Sequence, residues 1–150
     1  MSLGPNINAA MDPKVEPRAV EAMQKATARL SQATARERAY VEALAARYSA
    51  KKSVTRKAKD EAYAKAMRQV AREAPDDADA ATIAAEAMMV LRPWDYWRAD
   101  GRPQPGTEEI LAILEAALRQ HPDHPGACHY YIHAVEASPD PQRALDCAKR

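Results

Sequence analysis

Met67-Arg68-Gln69-Val70-Ala71-Arg72-Glu73-Ala74-Pro75 and Leu114-Glu115-Ala116-Ala117-Leu118-Arg119-Gln120-His121-Pro122 close two stretches of this chain in the same way. Each sets a bulky apolar residue eight positions before a proline, with an apolar pair in between. Spacings of three and four mark one face of a helix, and the proline marks its end. The two prolines lie 47 positions apart, and between them runs a 14-residue excursion from Arg92 to Pro105 of quite different texture. Without the excursion 33 positions remain, close to the ~34-residue period of one family of stacked helix-turn-helix repeats. Counting on from Pro122 puts Ala144 and Ala148 where the next second-helix alanine and its partner should stand.

Outward from these two ends, prolines punctuate the whole chain and alanine-rich helical patterns fill the gaps. The first helix is expected from about Pro17 to Leu30, with Val20, Met23, Thr27 and Leu30 on one stripe. The second follows Thr34, whose Thr34-x-x-Glu37 spacing is a capping box, and turns Val41, Leu44 and Tyr48 inward. The third runs from about Thr55 to Ala74, with Ala62, Tyr63, Ala66, Met67 and Val70 inward. Asp76 is expected to cap the fourth, whose apolar face holds Ile83, Ala84, Ala87, Met88 and Leu91. The fifth follows Thr107 with Ile110, Leu111, Leu114 and Leu118; the sixth starts at Pro125; Asp140-Pro141 opens a seventh.

Composition agrees. The 150 residues are 47% hydrophobic, yet 34 are alanines and only 36 are larger apolar side chains, with no phenylalanine. Alanine with Glu, Lys, Arg, Leu and Met makes helices, and small residues let paired helices approach closely. The scarcity of β-branched and aromatic residues argues against a sandwich, a barrel or a doubly wound α/β sheet. The expected fold is all-α, a tetratricopeptide-like superhelix of antiparallel helix hairpins (an α-α superhelix) in a degenerate form, because the signature tryptophan and Leu-Gly pair are missing. It is read as one domain over residues 1–150: a leader and turn (1–16), helices one to four (17–91), an aromatic insertion loop (92–106) and helices five to seven (107–150). Met1-Ser2-Leu3 reads as a cloning remnant and Lys149-Arg150 stops within a helical pattern, so a piece of a longer chain is expected.

Net charge is +1, but residues 1–72 carry 15 Lys and Arg against 7 Asp and Glu, and residues 73–150 carry 7 against 14. A basic and an acidic half would favour head-to-tail self-association. The densest basic run, Lys51-Lys52-Ser53-Val54-Thr55-Arg56-Lys57-Ala58-Lys59, has no interleaved aromatics, so it reads as a solvated face, and a nucleic-acid partner is not expected. No apolar run of membrane-spanning length and no signal peptide appear, so no membrane partner is expected. Cys128 and Cys147 are expected as buried free thiols, which places the protein in the cytoplasm.

The chemistry-bearing stretch is Cys128-His129-Tyr130-Tyr131-Ile132-His133-Ala134-Val135-Glu136. Cys128, Tyr131, Ile132 and Val135 form the core stripe, and His129, His133 and Glu136 share the neighbouring edge at i, i+4 and i+7. In the repeat register this edge, with Thr82, Glu86 and Met89 of the fourth helix, faces the concave groove. Glu86, His129, Tyr130, His133 and Glu136, with Trp94 and Trp97 of the loop, are the expected groove residues. His121 and His124 are expected as exposed turn residues, and Gly4-Pro5-Asn6-Ile7-Asn8 as a turn. The primary expectation is a scaffold that binds a peptide or partner protein, without catalytic residues or a cofactor. The alternative is a metal-dependent, hydrolase-like enzyme whose divalent ion sits on His129, His133 and Glu136 and whose site is completed by further repeats.

The ordered set Gly4-Pro5-Asn6-Ile7-Asn8, Glu37-Arg38-Ala39, Ala62-Tyr63-Ala64-Lys65-Ala66-Met67, Pro93-Trp94-Asp95-Tyr96-Trp97 and His124-Pro125-Gly126-Ala127-Cys128-His129-Tyr130-Tyr131-Ile132-His133-Ala134-Val135-Glu136-Ala137-Ser138 resembles a bacterial family of uncharacterised tetratricopeptide-repeat proteins. The resemblance implies the helical-repeat fold, and it implies further repeats on both sides of this stretch. Cys128 stands where that family usually has Asn. The resemblance implies no activity.

Overall fold

Four of the helix starts among the described residues fall where a side chain accepts from a free backbone amide of the first turn. The computed structural model describes residues 4–49 and 53–150. Among them lie α1 (Glu16–Thr27), α2 (Ala35–Arg47), α3 (Arg56–Glu73), α4 (Ala78–Met89), α5 (Thr107–Gln120), α6 (Pro125–Val135) and α7 (Leu145–Ala148), with 3-10 turns at Leu30–Gln32 and Pro141–Ala144. The described residues contain no strand, only two isolated bridges, and the protein is all-α. The capping box forms as expected: Thr34 Oγ1 accepts from the Glu37 amide at 3.2 Å, and Glu37 Oε2 accepts from the Thr34 amide at 2.8 Å. Thr55 caps α3 through the Ala58 amide.

Two caps differ from expectation. Asp77, not Asp76, caps α4, its Oδ1 accepting from the Ala80 amide at 2.9 Å. Tertiary contacts choose between the neighbouring aspartates, since Asp77 Oδ2 also accepts from Tyr40 Oη at 2.8 Å and pairs with Arg36 Nε at 2.6 Å. His124 is not an exposed turn residue. It is half-buried, and its Nδ1 accepts from the Ala127 amide at 3.1 Å at the start of α6.

Each helix packs on the next in sequence, and α4 also packs on α6. Completely buried Ala80, Ala84, Ala85 and Ala87 let α4 stand in both halves of the core. On one side Tyr63, Met67 and Val70 of α3 meet Ala80, Ala84 and Ala87. On the other, Ile110, Leu111 and Leu114 of α5 and Tyr131 and Val135 of α6 meet Ala85 and Met89. Met89, expected at the groove, is core, and Leu91, expected on the apolar face, is exposed.

The excursion is ordered, as its aromatics imply. Tyr96 is buried, its carbonyl accepts from Thr107 Oγ1 at 2.8 Å, and Trp97 Nε1 donates to the Ala134 carbonyl at 2.7 Å. Opposite charges of the two halves meet within the chain, as where Arg68 forks onto Glu109 at 2.7 and 2.6 Å. The basic run is not wholly solvated: Arg56 reaches Asp60 at 3.3 Å, and Lys59 is buried on Glu16 at 2.8 Å. Lys51 and Lys52 of that run, like Met1-Ser2-Leu3, lie outside the described residues.

The expectation of free thiols is overturned. The segment after α6 folds back across it, bringing Cys147 to the first turn of α6, where Cys128 and Cys147 form a disulfide with Cα atoms 5.0 Å apart. The ground for a reducing compartment goes with it. The seventh helix is also shorter than its pattern, a 3-10 turn followed by one turn of helix, held by this bridge and by the Arg143–Glu115 ion pair. No helix among the described residues is long and apolar enough to cross a membrane.

Candidate ligand cavity

The largest cavity among those described has a volume of about 700 Å³, within the range of small-ligand sites. Its walls come from α1 (Ala19, Ala22, Met23, Ala26), α2 (Val41, Leu44, Arg47), α4 (Glu86) and α6 (His129, Tyr130), with Tyr48 and residues 4–8. None of its lining comes from α3, α5 or α7. Of the four contributing helices, α2, α4 and α6 are alternate members of the row, the first helices of the hairpins in the expected register, and α1 precedes them.

Residues 4–11 are more than a turn beside this cavity; they form a strap across its floor. Asn6 Oδ1 accepts from the Asn8 and Ala9 amides at 2.8 and 3.0 Å, and the Asn6 and Ala9 backbones close on each other. That local bonding frees Ile7 to insert, 3% exposed, into the core with Ala85, Met89 and Tyr96. At Gly4 the backbone approaches the Tyr48 hydroxyl so closely that a side chain there would have to displace that ring's end. A smaller cavity of about 320 Å³ lies on the strap's other side, against Arg56, Asp60, Val90 and Trp94.

Polar chemistry in the larger cavity centres on Arg47 and Glu86. Arg47 is only 4% exposed. Its Nε donates to Asp60 Oδ1 at 2.8 Å and its guanidinium lies 4.6 Å from the Tyr63 ring centroid, while its Nη2 has no hydrogen-bond partner. A cation over an aromatic face, paired with a buried carboxylate, is held without water. Glu86 makes no hydrogen bond or ion pair with a described residue. Burial pushes its carboxyl up to about 6, with Arg47 opposing and Asp60 adding to the rise. Burial likewise raises the Tyr48 and Tyr130 hydroxyls.

Of the seven residues expected in the groove, Glu86, His129 and Tyr130 line this cavity. His133, Glu136, Trp94 and Trp97 do not. His133 Nδ1 meets Glu136 Oε1 at 2.9 Å. The His129 and His133 rings meet edge to face at 4.7 Å, and Trp94 meets His133 the same way at 4.9 Å. Trp94 is 48% exposed with a φ of 63°, a left-handed conformation that costs a non-glycine residue about 1–2 kcal/mol. Trp97 is structural, tied to α6 by its indole N–H. No three His, Cys, Asp or Glu groups among the described residues are placed to hold a metal ion. The sequence reading missed Arg47, although an arginine beside the inward stripe of Val41, Leu44 and Tyr48 was the available signal.

Comparison with protein-family models, curated proteins and solved structures found no match. The site therefore has to be read from its own geometry. An apolar chamber with one shielded cation, one unpaired carboxylate and a histidine–tyrosine edge has the composition of a recognition site.

Proposed function

We propose that this protein is a non-catalytic binding module, a tetratricopeptide-like superhelix of antiparallel hairpins like the bacterial family it resembles, whose concave side takes a peptide segment of a partner. The hairpin reading is supported by the neighbour-to-neighbour packing of α1 to α6, by the α4–α6 contact, and by the shared cavity of α2, α4 and α6. One observation carries the peptide reading: the concave side already holds a non-helical stretch of polypeptide, residues 5–11, with Ile7 buried in a side-chain pocket. A surface that seats a non-helical turn of its own chain this way presents the apolar pockets and polar rim that peptide recognition uses.

The test is a displayed-peptide selection on the wild-type protein, followed by titration of the selected peptides against Ala22→Trp. Ala22 is an exposed residue on the cavity wall, so the indole occludes the cavity without entering the core. Loss of affinity by tenfold or more for the selected peptides is expected. Unchanged affinity for all of them overturns the assignment. The metal-dependent alternative has no supporting cluster among the described residues.

A further inference from the structure

Glu86 is the one carboxylate among the lining residues of the cavity, and no hydrogen bond or ion pair from a described residue reaches it, Arg47 acting on it only at longer range. The charged groups that act on it are Arg47 from α2 and Asp60 from α3. Arg47 is engaged at Nε, where Asp60 accepts at 2.8 Å, and Tyr63 covers its face, which leaves Nη2 without a hydrogen-bond partner. From α6 the wall supplies only His129 and Tyr130, and from the strap only the amides Asn6 and Asn8. Apart from Tyr48, the rest of the helical surface, Met23, Val41, Leu44 and the α1 alanines, is apolar. A carboxylate in such surroundings without a donor is costly, and a ligand that brings a cation removes that cost.

We propose that the cavity receives the free amino terminus of an apolar peptide, its ammonium on the Glu86 carboxylate and its first side chains against Met23, Val41 and Leu44. This rests on the peptide-binding reading and sharpens it to one end of the chain and one charge. An amino terminus carries a compact cation and apolar side chains within a residue of each other, which is the mixture the wall presents. The ammonium has three donors, enough for both carboxylate oxygens and one further acceptor. The aromatic rings of Tyr48 and Tyr130 on the same wall suit a cation more than an anion.

The experiment uses the full chain and two matched hexapeptide libraries with apolar residues at the first two positions, one with free amino termini and one N-acetylated. Affinity selection at pH 7.5 with mass-spectrometric readout compares their retention by wild type and by Glu86→Gln, each checked for fold by circular dichroism. A charge-assisted bond to a partly buried carboxylate is worth about tenfold or more in affinity. Free peptides should be retained at least tenfold better than acetylated ones by wild type, and Glu86→Gln should erase the difference. Equal retention of both libraries by wild type overturns this inference and leaves peptide binding standing. Retention of neither overturns the peptide reading as well. A preference for free amino termini that survives in Glu86→Gln overturns the assignment to Glu86.

Discussion

Replacing Glu86 by glutamine should stabilise the protein, and only at neutral and alkaline pH. In the folded chain burial raises the Glu86 carboxyl to about 6, against about 4.5 for an ordinary glutamate. Arg47 pulls it down and Asp60 pushes it up, so desolvation decides the sign. A carboxyl whose folded value is the higher one favours the folded state while protonated. That contribution is complete below the unfolded value near 4.5 and is lost as pH rises through about 6. By pH 8 the ionised side chain costs the fold about 2 kcal/mol, at 1.36 kcal/mol per pH unit of separation. Glutamine keeps the shape and cannot ionise. Thermal melts followed by circular dichroism should show Glu86→Gln above wild type by roughly 4–8 °C at pH 8. At pH 4 the two melting temperatures should coincide. An equal shift at both pH values, or a loss at pH 8, would refute the claim that Glu86 is a desolvated, uncompensated carboxylate.

Asp77→Ala removes a cap and the anchor for Arg36 and Tyr40 together, and should cost about 2–4 kcal/mol in urea denaturation; a loss under about 0.5 kcal/mol would mean these bonds do not hold α2 to α4. Ile7→Ala should cost about 2–4 kcal/mol and raise amide exchange across residues 5–11, whereas unchanged exchange would show that Ile7 does not fasten the strap. Protein isolated without reductant should have an intact mass about two hydrogens lighter than the reduced chain. Reduction or Cys147→Ser should then cost about 3 kcal/mol, as expected for closing the loop between positions 128 and 147. A mass equal to that of the dithiol would contradict the pairing.

The helices were legible because their start and stop chemistry is local. Thr34 with Glu37, Thr55, and the prolines at 75, 122 and 125 each act within one turn, and the structure obeys them. Whether Asp76 or Asp77 caps α4 was not local, since Arg36 and Tyr40 lie some forty positions upstream. The same holds for the disulfide: only the fold-back of the last turn tells that Cys147 reaches Cys128. Helix periodicity gave Glu86 and His129 one common side, and both line the cavity, as does Tyr130, which was expected at the rim. It could not show that His133 would turn to Glu136, or that Trp97 would spend its N–H on α6. The strap escaped notice because Pro5-Asn6-Ile7-Asn8 has the composition of a plain turn, and its burial depends on α4 and the loop after it. Arg47 escaped because an arginine in a helix is ordinarily solvated, and its burial here needs Asp60 and Tyr63 from another helix.

The concave cavity as a peptide site is tested most directly by mapping amide chemical-shift changes on the labelled protein as a selected peptide is titrated in. The account predicts the largest changes at Met23, Leu44, Tyr48, Glu86, His129 and Tyr130, which line the cavity from α1, α2 and its C-cap, α4 and α6. Changes confined to the outward residues of α3 and α5, such as Glu61, Gln69, Ala112 and Arg119, with those six unmoved, would contradict it.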